Sequence, residues 1–282
     1  RLTALSLPLC CAVAVFSAED ETGGPAGLHL PRTHRTNFSH VLTDGGGFRW
    51  DLQHFGTVGQ GTSFAYGGGL YCRVNNANVS SDGRGWLSES RDEIEIGPWQ
   101  RRGLRVWRRI RVYQDRPLAR WLDIIENTSD HEVTVPVTIY TCTNRAIRQV
   151  VTSSGGSRPG PEDWAFITRS ESPESPLLLH LLCAAGSSIR PGVEVRANQI
   201  HVRWTLTIPP GDTAILCYFE SQGRSLEAHR KRMREFRSFQ ALRDLPPAVR
   251  AMIVNWPPGG GGNVSLDRLD NADTVIVAGD GP

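Results

Sequence analysis

The strongest constraint on the fold of this chain is an alternation of apolar and polar side chains between residues 104 and 141. Over residues 104–112, leucine, valine and isoleucine alternate with arginine and tryptophan, and a half-buried β-strand requires this period of two. A turn is predicted at Pro117, because proline cannot donate a ladder hydrogen bond. Residues 119–126 form a second predicted strand, and the valine-rich residues 133–139 form a third. The sequence therefore predicts the sheet core of an all-β protein here.

The chain on either side of this segment, up to residue 220, consists of short apolar runs between turn residues. Strands this short, with frequent turns and no helices between them, favour an antiparallel sandwich over an α/β fold. The predicted fold class is all-β, a large antiparallel two-sheet β-sandwich with one or two C-terminal helices. Further strands are predicted at residues 48–52, 70–74, 150–152, 164–168, 177–184, 193–195, 200–208 and 213–220, together with one that ends at Ile96 before Gly97-Pro98.

One helix is predicted after the strands, with Ser225 as its N-cap. Met233 and Phe236 lie on its apolar face and arginines occupy most of the remainder, so we expect it to pack across the sandwich. Contact of its basic face with an acidic surface or lipid headgroups is the alternative. Pro246-Pro247 ends this helix, and a shorter one is predicted over residues 248–254.

The two ends of the chain differ from its β-rich centre. Residues 1–18 combine a positive charge, an apolar run and a small-residue end, which is typical of a secretory signal peptide. An extracytoplasmic protein, periplasmic or secreted, is therefore expected, and an uncleaved anchor is the alternative. Residues 19–43 are interpreted as a loosely ordered leader, with residues 38–42 joining the sheet as the alternative, and residues 44–256 as the β-sandwich domain with its helices. A Pro/Gly linker is predicted at residues 257–262, and residues 263–282 are interpreted as the start of a further β module.

The charge composition bounds the possible partners. The chain has 31 Lys+Arg against 29 Asp+Glu, a net charge of +2, whereas nucleic-acid-binding domains usually carry a larger basic excess. No nucleic-acid partner is therefore expected, and no membrane span in the mature chain. Lys231 is the only lysine. This bias is typical of a GC-rich genome, and the alternative is a set of bidentate arginine–carboxylate contacts.

Four cysteines follow residue 18, and each lies inside a predicted strand: Cys72, Cys142, Cys183 and Cys217. Buried thiols that pack as small hydrophobes are one interpretation. One or two disulfides, with three possible pairings, are the other. No Cys/His spacing indicates zinc, and no metal or other cofactor is expected.

The best candidate binding site combines aromatic and polar residues in and after the glycine-rich stretch 44–72. Sugars stack their apolar faces on aromatic rings, while polar side chains bind the hydroxyls. The alternative is that Trp50 belongs to the core and the glycines only shape bends. The candidate ligand-binding residues are Trp50, Asp51, His54, Tyr66 and Trp86.

No catalytic residue is assigned from the sequence. Glu93 and Glu95 share one face of a predicted strand, and like charges placed in this way are typical of a solvated face. His180 and His201 lie in apolar strands, where a hydrogen-bonded histidine is commoner than a catalytic base. The sequence contains no G-x-S-x-G elbow, P-loop or H-E-x-x-H motif.

The segment RPLARWLDIIENTSDHEVTV, residues 116–135, resembles segments of the supersandwich, galactose-mutarotase-like domains of secreted bacterial proteins. The resemblance extends over residues 94–220 as a pattern of strands and turns. It implies a large antiparallel sandwich that is often involved in sugar recognition. A mutarotase would also need a histidine base and a glutamate acid, and the sequence pattern maps neither.

Two functions follow from these observations. The first is a non-catalytic, extracytoplasmic binding or scaffold domain, with carbohydrate as the expected ligand. The second is a mutarotase-like or glycan-processing enzyme that uses a carboxylate and a histidine. A structure distinguishes them, because an enzyme brings these groups together in a cleft and a scaffold buries or scatters them.

Overall fold

The alternating pattern of the sequence forms strands throughout the computed structural model, which describes residues 24–257. The three strands predicted between residues 104 and 139 are confirmed. The strands, in chain order, are β1 (His34–Asn37), β2 (His40–Thr43), β3 (Arg49–Leu52), β4 (Tyr71–Val74), β5 (Ala77–Asn78), β6 (Arg84–Leu87), β7 (Glu93–Arg101), β8 (Leu104–Val112), β9 (Ala119–Asn127), β10 (Val133–Cys142), β11 (Ile147–Thr152), β12 (Ala165–Ser170), β13 (Leu177–Leu181), β14 (Gly192–Arg196), β15 (Gln199–Ile208) and β16 (Thr213–Gly223).

Two antiparallel sheets provide the architecture. The large sheet has nine strands in the order β1-β6-β7-β8-β9-β16-β13-β12-β11, and the small sheet has five in the order β14-β15-β10-β4-β5. Strands β2 and β3 pair separately. This arrangement confirms the predicted class, a large antiparallel β-sandwich.

The chain passes from the large sheet to the small sheet at the turn that follows Asn127. The Asn127 Nδ2 atom donates to the carbonyls of His131 at 2.7 Å and Ile208 at 3.0 Å. Its Oδ1 atom accepts from the backbone N–H of Ser129 at 3.0 Å. Asn127 is fully buried, so water cannot bind the backbone groups of this turn. The side-chain amide of Asn127 provides their hydrogen bonds instead. The turn predicted from the sequence is therefore the corner between the two sheets.

Both faces of the large sheet are buried. Its inner face packs against the small sheet in a core that includes Trp50, Trp121 and Trp204. Its outer face carries a second core, which includes Leu122 and Phe219. A strand buried on one face only would show apolar residues on that side and solvated polar residues on the other. Here the polar side chains of both faces lie inside the protein.

Three short helices cover the outer face, and the predicted N-cap is confirmed. They are α1 (Leu226–Glu235), α2 (Ser238–Ala241) and α3 (Pro247–Ala251). The Ser225 hydroxyl accepts from the backbone N–H of Ala228 at 3.2 Å. Met233 and Val249 are buried in the outer core. The apolar face of α1 therefore packs on the sheet, as expected.

The structure differs from three sequence expectations. The predicted helix does not continue to Pro246 but ends at Glu235, and α2 and α3 follow it, so the described residues contain three short helices after the strands instead of one or two. Residues 24–43, which belong to the segment interpreted as a loose leader, contribute β1 and β2 and bury Leu28. Strand β7 does not end at Ile96 but continues to Arg101, with a register shift between Ile96 and Trp99. The Gly97-Pro98 pair is accommodated by that shift, because an irregular position tolerates a residue that cannot donate to the ladder.

The predicted signal peptide at residues 1–18, the linker beyond residue 257 and the further module at residues 263–282 lie outside the described residues. Among residues 24–257, all four cysteines are free thiols, of which Cys72, Cys183 and Cys217 are buried. This agrees with the thiol interpretation. None of the helices in that range is both long and apolar enough to span a bilayer.

Candidate functional site

Trp50 and Asp51, two of the predicted ligand-binding residues, are buried and have internal partners. Trp50 is fully buried, and its indole N–H donates to an Asp44 carboxylate oxygen at 2.9 Å. Asp51 is 5% exposed and accepts from the backbone N–H groups of Gln60, at 3.0 Å, and Gly61, at 2.7 Å. Asp51 therefore orders the glycine-rich loop that follows β3. Neither residue presents a surface to a ligand in this conformation.

Tyr66 lies beneath the same loop, next to a buried acid–histidine pair. His180 Nδ1 lies 2.8 Å from Glu220 Oε1, and both side chains are 2% exposed. On its other side, His180 Nε2 lies 3.2 Å from the Thr168 hydroxyl. Burial and the charge of Glu220 raise the pKa of Tyr66 well above its ordinary value. The Tyr66 hydroxyl is thus a close neighbour of the Glu220 carboxylate.

The acid–histidine pair is closed off from solvent. It lies on the inner face of the large sheet, where the His180 ring stacks on Phe166 with centroids 4.4 Å apart. The loop above it is held at Thr62, whose N–H donates to Gln222 Oε1 at 3.0 Å. Gly61 approaches so closely that a Cβ there would lie 2.8 Å from the Tyr66 ring. The pair is therefore brought together by the fold, but no cleft leads to it.

His54 and Trp86 are the two predicted residues that keep exposed surface. His54 stacks on Phe55 with ring centroids 3.9 Å apart. Trp86 lies on β6, opposite Arg35 of the edge strand β1. The guanidinium centres of Arg32 and Arg35 lie 5.1 and 4.9 Å from the Trp86 ring centroid. Three of the five predicted residues are therefore buried, and two remain accessible at the surface.

An open concave surface lies beside Trp86. Arg35, Asn37 and Arg84 line a cavity of about 590 Å³. Asn37 lies opposite Arg84, and Arg35 lies opposite Trp86, so these four side chains share one face of the β1–β6 pair. We call them the Trp86 surface. It is an aromatic ring bordered by two guanidinium groups and an amide, at the edge of the large sheet.

The charges of the Trp86 surface are incompletely compensated. Arg84 lies 3.9 Å from the exposed Asp82, and Arg35 forms no ion pair with any residue in the described range 24–257. Arg32, at its border, contacts the buried Glu95 at 3.5 Å. The surface therefore attracts anionic groups.

Arg35, Asn37 and Arg84 leave only a weak signal in the sequence. The alternation in HRTN and RGWL indicates shared faces. Neither short segment encodes its pairing with the other, because the pairing joins residues far apart in the chain.

Glu93 and Glu95 are buried, which contradicts the expectation of a solvated face. Glu93 accepts from Arg109 at 3.0 Å and from Arg120 at 3.1 Å. Burial opposes its ionisation, but these two guanidinium groups hold the pKa of Glu93 below its ordinary value. Glu95 is fully buried and accepts from the backbone N–H of Leu30 at 3.1 Å. The arginines next to Glu93 and Glu95 thus make contacts with carboxylates. Such contacts were the alternative explanation for the many arginines of the chain.

The inner face carries a further buried ion pair. Arg108 Nε donates to Asp123 at 2.7 Å, and both side chains are fully buried. Burial opposes the charge of Arg108, but Asp123 raises its pKa above the ordinary value. The remaining guanidinium hydrogens bind Tyr218 and three loop carbonyls. Because every donor is satisfied within the protein, the function of this pair is structural.

The residues described here offer no metal centre: across residues 24–257 no group of three or more His, Cys, Asp or Glu side chains is placed to hold an ion.

Comparison with known proteins gave structural matches only. No family model and no curated protein sequence matches the chain. A polysaccharide lyase matches with a TM-score of 0.40 and 14% identity over 66% of this chain and 28% of the lyase. A candidate aldose 1-epimerase from Escherichia coli K12 matches with a TM-score of 0.42 and 9% identity, over 67% of this chain and 99% of that protein. A galactose mutarotase-related enzyme from Lactobacillus acidophilus matches with a TM-score of 0.35 and 7% identity, over 67% and 97%.

These neighbours include the mutarotase-like proteins that the segment at residues 116–135 resembles. The chain spans 28% of the lyase's length, so the lyase is a much larger protein. All three TM-scores are below 0.5, and the function is therefore argued from the residues of this chain alone.

Proposed function

We propose that this protein is a non-catalytic, extracytoplasmic binding domain for carbohydrate that carries anionic groups, such as uronate residues. The observation that supports this proposal is the Trp86 surface, where Arg35 lies over the ring of a predicted aromatic residue and lines an open cavity together with Asn37 and Arg84. The extracytoplasmic placement rests on the signal-peptide pattern of residues 1–18.

The chemistry of the Trp86 surface suits an acidic sugar. An indole ring can stack on the apolar face of a pyranose, and Asn37 can bind a hydroxyl through its amide. The guanidinium of Arg35 lies over the ring without a carboxylate partner. A cation–π contact at an exposed site contributes about 0.5–1 kcal/mol. A bidentate carboxylate contact is stronger, so a uronate can draw Arg35 away from the ring and expose its face.

The acid–histidine pair favours binding over catalysis. A general acid or base must come within hydrogen-bond reach of the substrate. His180 and Glu220 are each 2% exposed and lie beneath the loop held by Asp51. A glycan-processing enzyme is the second candidate function, because His180, Glu220 and Tyr66 bring an imidazole, a carboxylate and a hydroxyl together. That function requires the loop to open.

Calorimetric titration of the full chain with a uronate oligosaccharide, and with a neutral glucose oligosaccharide of equal length, tests the proposal. We expect saturable binding of the uronate oligosaccharide that weakens as salt rises, and weaker binding of the neutral one. Trp86→Ala and Arg35→Gln should each reduce uronate affinity by about tenfold or more. Arg101→Gln is the matched control, since Arg101 is an exposed arginine at the far end of β7.

Mass spectrometry of the same incubations separates the two functions. Released product that disappears in Glu220→Gln would establish the enzyme and overturn the non-catalytic proposal. Equal binding by wild type, Trp86→Ala and Arg35→Gln would remove the Trp86 surface as the site. Absence of binding to both oligosaccharides would contradict the proposed function.

A further inference from the structure

We propose a second anion-binding site at the opposite edge of the large sheet, for a ligand that carries one oxyanionic group such as a carboxylate or sulfate. Strands β11, β12, β13 and β16 all start or end there. Their ends enclose a cavity of about 440 Å³, within the range of small-molecule sites. We call it the strand-end pocket, and the argument uses its lining residues Arg148, Arg169, Ser170, Glu171, Ser175 and Arg224.

A β-bulge places two of the arginines side by side. On β11, Ile147 lies opposite Ser170 and Gln149 lies opposite Arg169, so Arg148 is an extra residue without a partner on β12. A bulge of this kind re-aims the side chain of the extra residue. As a result, Arg148 lines the same cavity as Arg169, instead of alternating away from it.

The pocket carries more positive than negative charge. Arg148 Nη2 lies 2.7 Å from Glu171 Oε2. Arg224 donates to the carbonyl of Glu174 at 2.5 Å, which orients its guanidinium without neutralising it. Arg169 makes no ion pair with any residue of the described range. Three guanidinium groups therefore face one carboxylate, and an oxyanion between them would receive charge-assisted hydrogen bonds.

Hydroxyl donors complete the pocket. Ser170 Oγ is shielded from solvent yet makes no hydrogen bond to a described residue, an arrangement that costs free energy unless a ligand or water binds it. Ser175 donates to the carbonyl of Ser63 at 3.1 Å, which fixes the wall opposite β12. Guanidinium and hydroxyl donors converging on one small cavity are the chemistry that binds a carboxylate or sulfate.

The strand-end pocket is independent of the proposed carbohydrate site. The Trp86 surface lies on β1 and β6 at one edge of the nine-stranded sheet, and β11 and β12 lie at the other edge. If experiments disprove binding at one of the two sites, binding at the other can therefore still be tested in the same protein.

The test titrates the full chain with three small probes, which are sodium sulfate, glucuronate and glucose. Binding is measured as the shift in the thermal melting temperature of the protein. Ionic strength is held constant with sodium chloride. We expect saturable shifts with glucuronate or with both anions, and none with glucose. Arg169→Gln should weaken anion binding by about tenfold or more. Because Arg169 is exposed, this substitution should leave the melting temperature without ligand unchanged.

Two matched controls define the site. Arg158→Gln removes an exposed arginine at the other end of the β11–β12 hairpin, and Arg101→Gln removes an exposed arginine on β7, outside both proposed sites. Both should bind the anions as wild type does. Binding of both anions supports general oxyanion recognition, and binding of glucuronate alone supports an acidic sugar. Equal binding by Arg169→Gln and wild type, a response to glucose, or no response to either anion would overturn the proposal.

Discussion

The two faces of the large sheet hold their buried charges in different ways. On the inner face, one guanidinium, that of Arg108, binds Asp123, Tyr218 and the carbonyls of Phe55, Gly56 and Leu70. On the outer face, Glu93 and Asp244 each have two guanidinium partners. Arg109 and Arg120 bind Glu93, while Arg120 and Arg111 bind Asp244. Removal of Arg108 therefore leaves Asp123 without a guanidinium partner. Removal of Arg120 leaves Glu93 and Asp244 with one guanidinium partner each, so the outer network is redundant.

The two arrangements also hold different parts of the chain. Arg108 fixes the glycine-rich loop over the inner face through three carbonyls. Arg109 binds the carbonyls of Gly27 and Leu28, and Arg120 binds the carbonyl of Ala241. The outer network thus attaches an N-terminal segment and a C-terminal helical segment to the sheet. Buried charge in this protein positions irregular chain segments that lack strand partners.

The largest effect is expected from Arg108→Met. This substitution leaves Asp123 charged, buried and without its cationic partner, and leaves the loop carbonyls without donors. Breaking a buried ion pair from one side costs about 3–5 kcal/mol of unfolding free energy. Urea unfolding at neutral pH measures this cost. The double variant Arg108→Met/Asp123→Leu should recover a large part of it, and a double variant as unstable as the single one would contradict the account.

A smaller loss, about 2–3 kcal/mol, is expected from Arg120→Met on the outer face. Arg109 still binds Glu93, and Arg111 still binds Asp244, after the change. The same urea experiment tests the redundancy directly. A loss equal to that of Arg108→Met would show that the two faces do not differ in the way described here.

His229 extends the comparison to the helix that covers the outer face. Burial lowers the pKa of His229 to about 4. In its neutral form, Nε2 donates to the Leu177 carbonyl at 3.2 Å, and Nδ1 accepts from Arg232 at 3.2 Å. The pKa of His229 in the folded protein lies below the ordinary value of 6.5. The contribution of neutral His229 to the free energy of unfolding is therefore fully present above pH 6.5. It is lost as the pH falls toward 4, because the unfolded chain takes up the proton first.

The expected loss from His229 between pH 7 and pH 5 is about 2 kcal/mol. His229→Gln keeps a donor for the Leu177 carbonyl but cannot titrate. The difference in unfolding free energy between wild type and His229→Gln should therefore shift in favour of the variant as the pH falls over this range. Parallel curves for the two proteins would show that His229 does not carry the effect. The comparison also controls for His40 and His201, whose pKa values are lowered as well.

Much of the fold was predictable because it depends on local sequence. The alternation over residues 104–112, the turn after Asn127 and the cap at Ser225 are set by side chains within a few residues of each other. The candidate site was less predictable. Trp50 and Tyr66 have the composition of a sugar site, yet both pack between the sheets. Trp86 keeps exposed surface, but its neighbour Arg35, which lines an open cavity, comes from a segment 51 residues earlier in the chain.

The long strands, and the side chains that share a face of each strand, follow from the local sequence, because the backbone of a strand fixes that alternation. What lies over each face depends on the packing of the whole chain. Arg109 and Glu93 occupy positions that look solvent-exposed in the sequence, but residues 24–32 and the C-terminal helices cover them. The same alternation would fit an exposed face equally well. The burial of charge, and with it the location of open binding surfaces, depends on contacts between residues far apart in the chain.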